Sequence, residues 1–578
     1  MPERDAITVN LADGFLLIAA GVRRESGGAL AADLMLQNGR VLFADRAVLN
    51  SAEGVSEWAG RATAEGRPTA ARMAEAVREY VLPEALSILQ DEPKRPTQAD
   101  DLVRLALDAT DLAADAAQDA ELFHTPDRQA HATLTIGDHR ETWPVRSRGF
   151  RLWLAGRFFA KRGKAPGGQA LADAINILEG KALFAGAEHP VFARVAARGE
   201  TVYLDLADAA WRAVEVDATG WRVVADPPVK FRRARGMLPL PAPTGGGTLA
   251  DLRAFANVRA EDDWRLVLGW LLGALRPRGP YAVLVVHGEQ GSAKSTLARL
   301  LRALLDPNEA PIRAAPRDER DLAIAAANGW CLAVDNLSRL PDWLSDAYCR
   351  LATGGGFATR TLYENDEETI FNSQRPIVLN GIEEIATRGD LLDRAIVVYL
   401  PTIPEEERRP EAELWAAFER VRPGALGALL DAVSAALRNE AATRLARAPR
   451  MADFARWVTA AEPALGWEAG AFVAAYARNR REANDLTLDA SPVAPAVRAW
   501  AATLTEPWEG TATDLLALLD GRTDDKTRRL KAWPDSGREL SNALRRLAPN
   551  LRAAKVVLTF DIRRHGGRRV IRVERGAA

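Results

Sequence analysis

The chain is 578 residues long, enough for about three or four domains with substantial cores. Its 48% hydrophobic and 27% charged residues are ordinary for a globular protein. No apolar run reaches about 18 residues and the start lacks a basic-then-apolar layout, so neither a membrane span nor a secretory leader is expected.

The net charge of −2 conceals an asymmetry. Lys526 to Arg575 holds 15 Lys/Arg against 4 Asp/Glu, a local balance of +11, so the rest carries −13. Charge gathered at one end points to nucleic acid, with a merely solvated basic face as the alternative. Cys331 and Cys349 cannot make a zinc site. They are expected to be buried thiols, which fits a reducing cytoplasm.

In chain order, residues 1–125 are expected to be helical and Ala-rich, with apolar spacings of three and four in Ala70–Ile88 and Ala99–Leu122. Residues 126–247 form an α+β region: strands near Thr133–Ile136, Thr201–Leu206 and Trp221–Val224, with a helix from Gln169 to Phe184. It closes in a Pro/Gly linker, Asp226–Gly247, carrying the basic insert Lys230–Arg235. Residues 248–404 hold two helices and then alternating strands and helices, as a parallel sheet covered on both faces requires. Residues 405–505 are helical again, and 506–578 form a small basic unit. The whole is multidomain α/β.

The most informative stretch follows the apolar run Tyr281–Val286. His287 leads into Gly288-Glu289-Gln290-Gly291-Ser292-Ala293-Lys294-Ser295-Thr296, and an amphipathic run follows from Leu297 to Leu305. Strand, glycine loop, Lys-Ser/Thr and helix is the layout of a phosphate-binding loop. Small residues let backbone N–H groups curl round a triphosphate at a helix N-terminus. Lys294 would reach the β/γ-phosphates of ATP and Ser295 would hold Mg²⁺. Ala293 stands where the usual pattern has its second Gly, and it keeps the turn if its φ is negative. An ordinary glycine turn is the alternative.

Trp330–Asn336 is an apolar strand ending in Asp335, which would anchor Mg²⁺ opposite Ser295. The next position, where a Glu would activate water, is Asn336. Asn orients a water but takes no proton, which leaves the base to Asp335 or to another loop. Arg375–Gly381 ends a third strand in Asn380, which would hold the lytic water or simply start a turn. Arg388 and Arg394 precede a last strand, Ala395–Leu400. Either would reach a neighbouring subunit's γ-phosphate or pair locally with Asp390 or Asp393.

The order of glycine loop, Asp335-Asn336, Leu351–Gly356, Arg360–Tyr363, Asn380 and Arg394 resembles superfamily 3 helicases over Tyr281–Pro401. It is similar above all to poxvirus-type primase-helicases and the replication ATPases of phages and mobile elements. The resemblance implies an AAA+ core in a hexameric ring that grips single-stranded DNA with a β-hairpin, here Phe357–Tyr363 and Glu367–Asn372. Two departures stand out. Gly354-Gly355-Gly356 replaces Gly-Gly-Asp, and the hairpin tip is acidic (Glu364, Asp366, Glu367, Glu368), which leaves the grip to Arg360, Arg375 or backbone amides.

In the basic unit, Thr511–Leu519 and Ser536–Leu547 are capped helices, the second opened by a Ser536/Glu539 capping box. Val556–Ile562 and Arg569–Val573 flank a glycine turn as a hairpin. That is a winged-helix order. The second helix would put Arg538, Asn542, Arg545 and Arg546 in the major groove of duplex DNA, and the wing Arg563, Arg564, Arg568 and Arg569 on phosphate. Winged helices also serve protein contacts.

No Cys/His cluster exists for a primase. Tyr203–Asp208 offers Asp205 and Asp208 as a weak acid pair, and no priming is expected. Arg146–Lys164 (Phe150, Trp153, Phe158, Phe159) is a DNA or partner surface, or equally a core strand-helix pair. The reading is an ATP- and Mg²⁺-dependent ring helicase for phage or mobile-element replication. A nucleotide-switched DNA-binding ATPase with a defence or loader role is the alternative, and a protein-remodelling ATPase is a third.

Overall fold

The computed structural model describes residues 6–25, 27–64, 66–91, 97–107, 121–337, 340–355, 357–360, 368–371, 373–381, 389–563 and 569–576. The chain divides into two compact units, Met1–Asp101 and Leu102–Ala578.

The first unit corrects the helical expectation for residues 1–125. β1 (Ile7–Asn10), β2 (Leu16–Arg24), β3 (Leu30–Asn38) and β4 (Arg40–Val48) make an antiparallel meander in the order β1-β2-β3-β4. Ala-rich composition favours helix. The period-two burial of Leu30, Ala32, Leu34 and Leu36 outweighs it. Helices α1 (Ala52–Ala62), α2 (Ala70–Ala76) and α3 (Leu82–Asp91) follow, and a π-turn over Val77–Val81 joins the last two. Trp58, Met73, Val77 and Val81 close one face of the sheet. The expected helix Ala99–Leu122 begins as α4 (Gln98–Leu107). Residues 108–120 lie outside the described residues, and Leu122 stands on a strand.

In the second unit, β5 (Glu121–His124), β6 (Ala130–Ile136), β7 (His139–Pro144) and, after helices α5 (Arg148–Arg162) and α6 (Gly168–Phe184), β8 (Ala187–Glu188) form a sheet in the order β7-β6-β5-β8. Phe150, Leu154, Phe158 and Leu178 pack it, so the aromatic stretch is largely core, with Phe159 exposed. β9 (Val191–Phe192) precedes a second meander, β10 (Val195–Arg198), β11 (Thr201–Asp205), β12 (Ala213–Asp217) and β13 (Gly220–Val224). β14 (Lys230–Phe231) then pairs with β9.

The expected linker after residue 226 is a packed strap. Leu240 N–H donates to Leu206 O (2.8 Å) and Thr244 N–H to Pro423 O (3.1 Å). Gly247 lies so close to Gly424 that a Cβ would stand 2.3 Å from its carbonyl carbon. Only glycine permits that approach.

Next come α7 (Ala250–Arg253), α8 (Glu261–Ala274), β15 (Val283–His287), α9 (Lys294–Leu305), α10 (Glu319–Ala327), β16 (Leu332–Leu337), α11 (Asp342–Thr353), β17 (Phe357–Arg360), β18 (Glu368–Phe371), β19 (Ile377–Gly381), α12 (Gly389–Leu392) and β20 (Ala395–Tyr399). Four of these strands form a wholly parallel sheet in the order β16-β19-β15-β20. Alternate residues serve different cores. Leu284, Val286, Val378, Ile396 and Val398 meet α8 and α9, while Val283, Val285, Ile377 and Leu379 meet α10 and α11. Both faces are therefore buried, which explains the unbroken apolar runs. β17 and β18 pair antiparallel, as a hairpin requires. Residues 361–367, with Glu364, Asp366 and Glu367, lie outside the described residues, as do Gly356 and the side chains of Arg360 and Glu368.

Helices α13 (Glu411–Asn439), α14 (Ala452–Leu465), α15 (Ala471–Asp489) and α16 (Val493–Ala501) follow. α15 covers the β20 edge with one side chain. Asn479 Nδ2 donates to Val397 O (2.5 Å) and its Oδ1 accepts from Val397 N–H (3.0 Å), the two bonds a neighbouring strand would supply. At the end, β21 (Trp508–Gly510), α17 (Ala512–Asp520), α18 (Asp525–Arg528), α19 (Gly537–Ala553), β22 (Val556–Arg563) and β23 (Arg569–Arg575) form a unit with a sheet in the order β21-β23-β22. Val497 and Trp500 of α16 share its core.

One buried carboxylate ties these layers together. Asp306, 1% exposed, accepts from Arg194 Nε (3.1 Å), Trp330 N–H (2.9 Å), Cys331 N–H (3.2 Å) and Arg302 Nη2 (3.5 Å). Arg194, fully buried, also donates to Asp205 O and Leu238 O. Removing the acid strands two guanidinium groups in the interior. Asp306→Ala is expected to destabilise the second unit by about 3–5 kcal/mol, read as a lowered denaturant midpoint. A loss within about 0.5 kcal/mol, the range of ordinary surface substitutions, would contradict this role.

Candidate nucleotide and nucleic-acid sites

The glycine loop leaves the carboxyl end of β15 and enters α9. Gly288 sits at φ 151°, and a Cβ there would stand 2.3 Å from Leu400 O. Gly291 is left-handed at φ 80°. So is Ala293, at φ 63° and ψ 30°, where it caps α9. This corrects the expectation of a negative φ. The loop needs the same left-handed turn a glycine would give, and Ala adopts it at a cost of roughly 1–2 kcal/mol. Alternating turns of this kind aim backbone N–H groups into one concavity, and the first N–H groups of α9 have no helical acceptor.

Other segments brace the loop. Asn257 Nδ2 donates to Ser292 O (3.1 Å) and Pro401 O (2.5 Å). Ile403 N–H donates to Gly291 O (3.2 Å), and Thr402 Oγ1 to Glu289 Oε2 (3.1 Å). The Arg408 guanidinium lies over the loop, 3.4 Å from where a Cβ on Gly291 would be. Gln290 is exposed at the tip, and Thr296 is half-buried in the first turn of α9.

Lys294 folds back into the concavity. Its ammonium donates to Gly288 O and Glu289 O (both 2.7 Å) and to Ser292 Oγ (3.3 Å). Burial draws its pKa below the ordinary lysine value, against the pull of Asp335. Ser295 Oγ donates to Asp335 Oδ1 at 3.0 Å. Asn336 N–H donates to Asn380 Oδ1 (2.9 Å). Asn380 is 1% exposed and its Nδ2 has no hydrogen-bond partner among the described residues. A buried, unpaired amide beside a serine–aspartate pair and a lysine is a donor set suited to phosphate, Mg²⁺ and an attacking water.

Asn336 interrupts the ladder between Val334 and Leu337 and takes φ 56°. Asn tolerates this left-handed position better than Glu does, because its short amide can bond locally. The departure from Asp-Glu therefore has a backbone reason. Asn336 contributes its main-chain N–H to Asn380, while its side chain is exposed.

The arginines separate. Val283 N–H donates to Arg394 O, so Arg394 stands at the amino edge of the sheet. The glycine loop follows His287, four residues or roughly 13 Å further along. The Arg394 guanidinium donates to the backbone Asp390 O (2.8 Å) and lies 3.8 Å from the Asp390 carboxylate, the local pairing expected as the alternative. Arg388 lies outside the described residues. Arg375 is corrected as a DNA-gripping group. It donates to the carbonyls of Ala326, Gly329 and Gln374, each at 2.9 Å, and burial draws its pKa down to about 10. Asp205 is taken by Arg233 (2.8 Å) and Asp208 by Arg212 (2.6 Å), leaving no acid pair for a metal there.

On α19, Arg538, Asn542, Arg545 and Arg546 are exposed, opposite the buried Leu540, Leu544 and Leu551. Arg545 is tied to the hairpin, donating to Asp561 (2.8 Å) and lying 4.6 Å above Phe560. Arg563 and Arg569 face each other across β22 and β23, and Arg564 and Arg568 lie outside the described residues. Ser536 caps α19, but Glu539 turns to Asp535 N–H (3.0 Å) instead of closing the expected box. Thr511 and Asp514 form the complete one.

Asn257, Arg408 and Asn479 escaped sequence reasoning. Each acts on a segment far along the chain, and no local pattern marks them.

Residues 247–486 match the family of the actinomycete integrative conjugative element replication protein, and residues 493–578 match the AICE RepA C-terminal domain. No curated protein matches. Among solved structures, the A form apo structure of the NrS-1 C-terminal region is similar at 12% identity and a TM-score of 0.36, over 79% of this chain and 97% of that one. The apo NrS-1 C-terminal region (305–718) is similar at 10% and 0.35, over 79% and 96%. Likenesses this remote leave the functional reading to the residues.

Ala293→Gly is expected to stabilise the second unit by up to about 1 kcal/mol by relieving the left-handed alanine. Ala293→Val is expected to cost more than that. Denaturant melts of the two variants check this, and a destabilised glycine variant would contradict the strained turn.

Proposed function

We propose that this chain, a mobile-element replication protein by the two family domains it carries, is an ATP- and Mg²⁺-dependent DNA helicase of the superfamily 3 type. The observation that carries the reading is the 3.0 Å Ser295–Asp335 pair beside Lys294, with the Asn380 amide, unpartnered among the described residues, along the same sheet edge. Bound Mg²⁺ would supply countercharge and Lewis acidity between Ser295 and Asp335. Lys294 would release its two loop carbonyls to the phosphates. Asn380 would orient the attacking water, with Asn336 holding Asn380 in place through its main chain. Asp335, or an acid supplied from another loop, would then take the proton.

An AAA+ core is supported by the β16-β19-β15-β20 order, with the glycine-loop strand between the Asn380 strand and the last one. Arg394, at the opposite edge, is badly placed for its own subunit's phosphates, and a role on a neighbour's would require it to leave Asp390. The resemblance implies a ring, and a hexameric one. The order α16, β21, α17, α19, β22, β23 supports a winged helix, read as the duplex-binding part, and the resemblance implies single-stranded DNA at the β17–β18 hairpin. The exposed Asn336 amide, where an acid would speed hydrolysis, favours the second reading, a nucleotide-switched DNA-binding ATPase that does not unwind.

Lys294→Ala and Asn380→Ala are each expected to lower ATP turnover by about 10²-fold or more, with the asparagine variant still binding nucleotide. Strand displacement on a forked duplex should fall with them. DNA-stimulated hydrolysis without displacement would transfer the reading to the switch, and undiminished turnover in Lys294→Ala would refute both. For the basic unit, Arg538→Ala and Arg546→Ala are each expected to reduce the salt slope of duplex binding by about one. An unchanged slope would assign that face to protein contacts.

A further inference from the structure

Far from the glycine loop in sequence, the second unit holds a cavity of ≈450 Å³ between its two amino-proximal sheets. That lies within the range of about 300–1,000 Å³ usual for small-molecule sites. Its charge is unbalanced. The Glu121 carboxylate accepts from Lys230 Nζ (2.6 Å) and Arg140 Nη2 (3.2 Å), and His189 Nε2 lies 3.3 Å away. Arg198 also lines the space, and among the described residues the only other lining acid is Asp226. One carboxylate already shared by several cations leaves positive charge for an added anion. Burial lowers the Lys230 pKa, against the support of Glu121, so a further anion nearby would favour its charged form.

The second observation is Trp211, which lines the same cavity. Its φ is 54°, the left-handed region, where a bulky side chain is a genuine outlier. The turn is held by Trp211 N–H to Asp208 O (3.2 Å) and by the Arg212–Asp208 pair. Arg233 stacks on the ring at 4.0 Å from its centre. A glycine or asparagine would make this turn without strain. Strain held in place by surrounding bonds is a mark of a working surface.

We infer that this cavity is a second nucleotide site, taking phosphate among Arg140, Arg198 and Lys230 and a base against Trp211 and Phe192. A free nucleotide and a segment of single-stranded DNA present the same two groups. The site is independent of the glycine loop, so it stands or falls separately from the ATPase reading.

The test is photo-crosslinking on the full chain carrying Lys294→Ala, with 8-azido-ATP in one arm and a bromodeoxyuridine-substituted oligo-dT in the other. Labelled peptides are mapped by mass spectrometry. Labelling within residues 187–235 that excess unlabelled probe displaces is the expected result, and the arm that labels identifies the source. Arg140→Ala combined with Arg198→Ala should cut that labelling at least about fivefold, each lost phosphate contact weakening binding. No label from either probe, label that competitor fails to displace, or undiminished label in a folded double variant would overturn the site. The competition arm needs no mutation in the cavity, so it decides the matter even if the double variant does not fold.

Discussion

The second unit depends on a closed frame of two parallel rods. α9 and β16 are joined at one end by Asp306, which caps α9 and accepts from Trp330 and Cys331 N–H just before β16. At the other end Ser295 Oγ meets Asp335. Ser295 to Asp306 along a helix is roughly 16 Å, and Trp330 to Asp335 along a strand is also roughly 16 Å. The helical and extended segments match in length, so fixing the Asp306 end sets the serine and aspartate at hydrogen-bonding distance. A cation site needs that pre-set geometry, because ligands ordered in advance lose little entropy on binding.

The same joint reaches outward. Arg194 enters it from the loop before β10, and the strap 236–247 crosses to α13 at the Gly247–Gly424 contact. Asn479 on α15 grips β20, while Asn484 and Asn550 exchange hydrogen bonds between α15 and α19 (2.9 and 3.2 Å). A shift of α15 against the parallel sheet would therefore be felt at α19. These bonds join the parallel sheet that carries the glycine loop to the basic unit.

Much of this was legible in the sequence where the signal is local. The glycine loop, Asp335 near the carboxyl end of its strand, Asn380 on the neighbouring strand, and the polar face of α19 all follow from short patterns with a physical reason. The four strands of the first unit were not, because alanine-rich segments hide a period of two behind good helix formers. The left-handed φ at Ala293 is not visible in the sequence, since side-chain size says nothing of which turn the loop demands. Asn257, Arg408 and Asp306 act across long sequence separations, and composition cannot reveal a partner that only the fold supplies. The region 226–247 reads as a tether by its prolines and glycines, yet its glycines are there for close contact.

The frame forms a charged cradle suited to phosphates and a divalent cation. Titrating the full chain with a slowly hydrolysed ATP analogue and Mg²⁺ in a calorimeter addresses this most directly. Saturable heat that disappears when Mg²⁺ is withheld, and weakens in Asp335→Asn, is the predicted result. A flat titration from a folded chain, or binding indifferent to both changes, would contradict it.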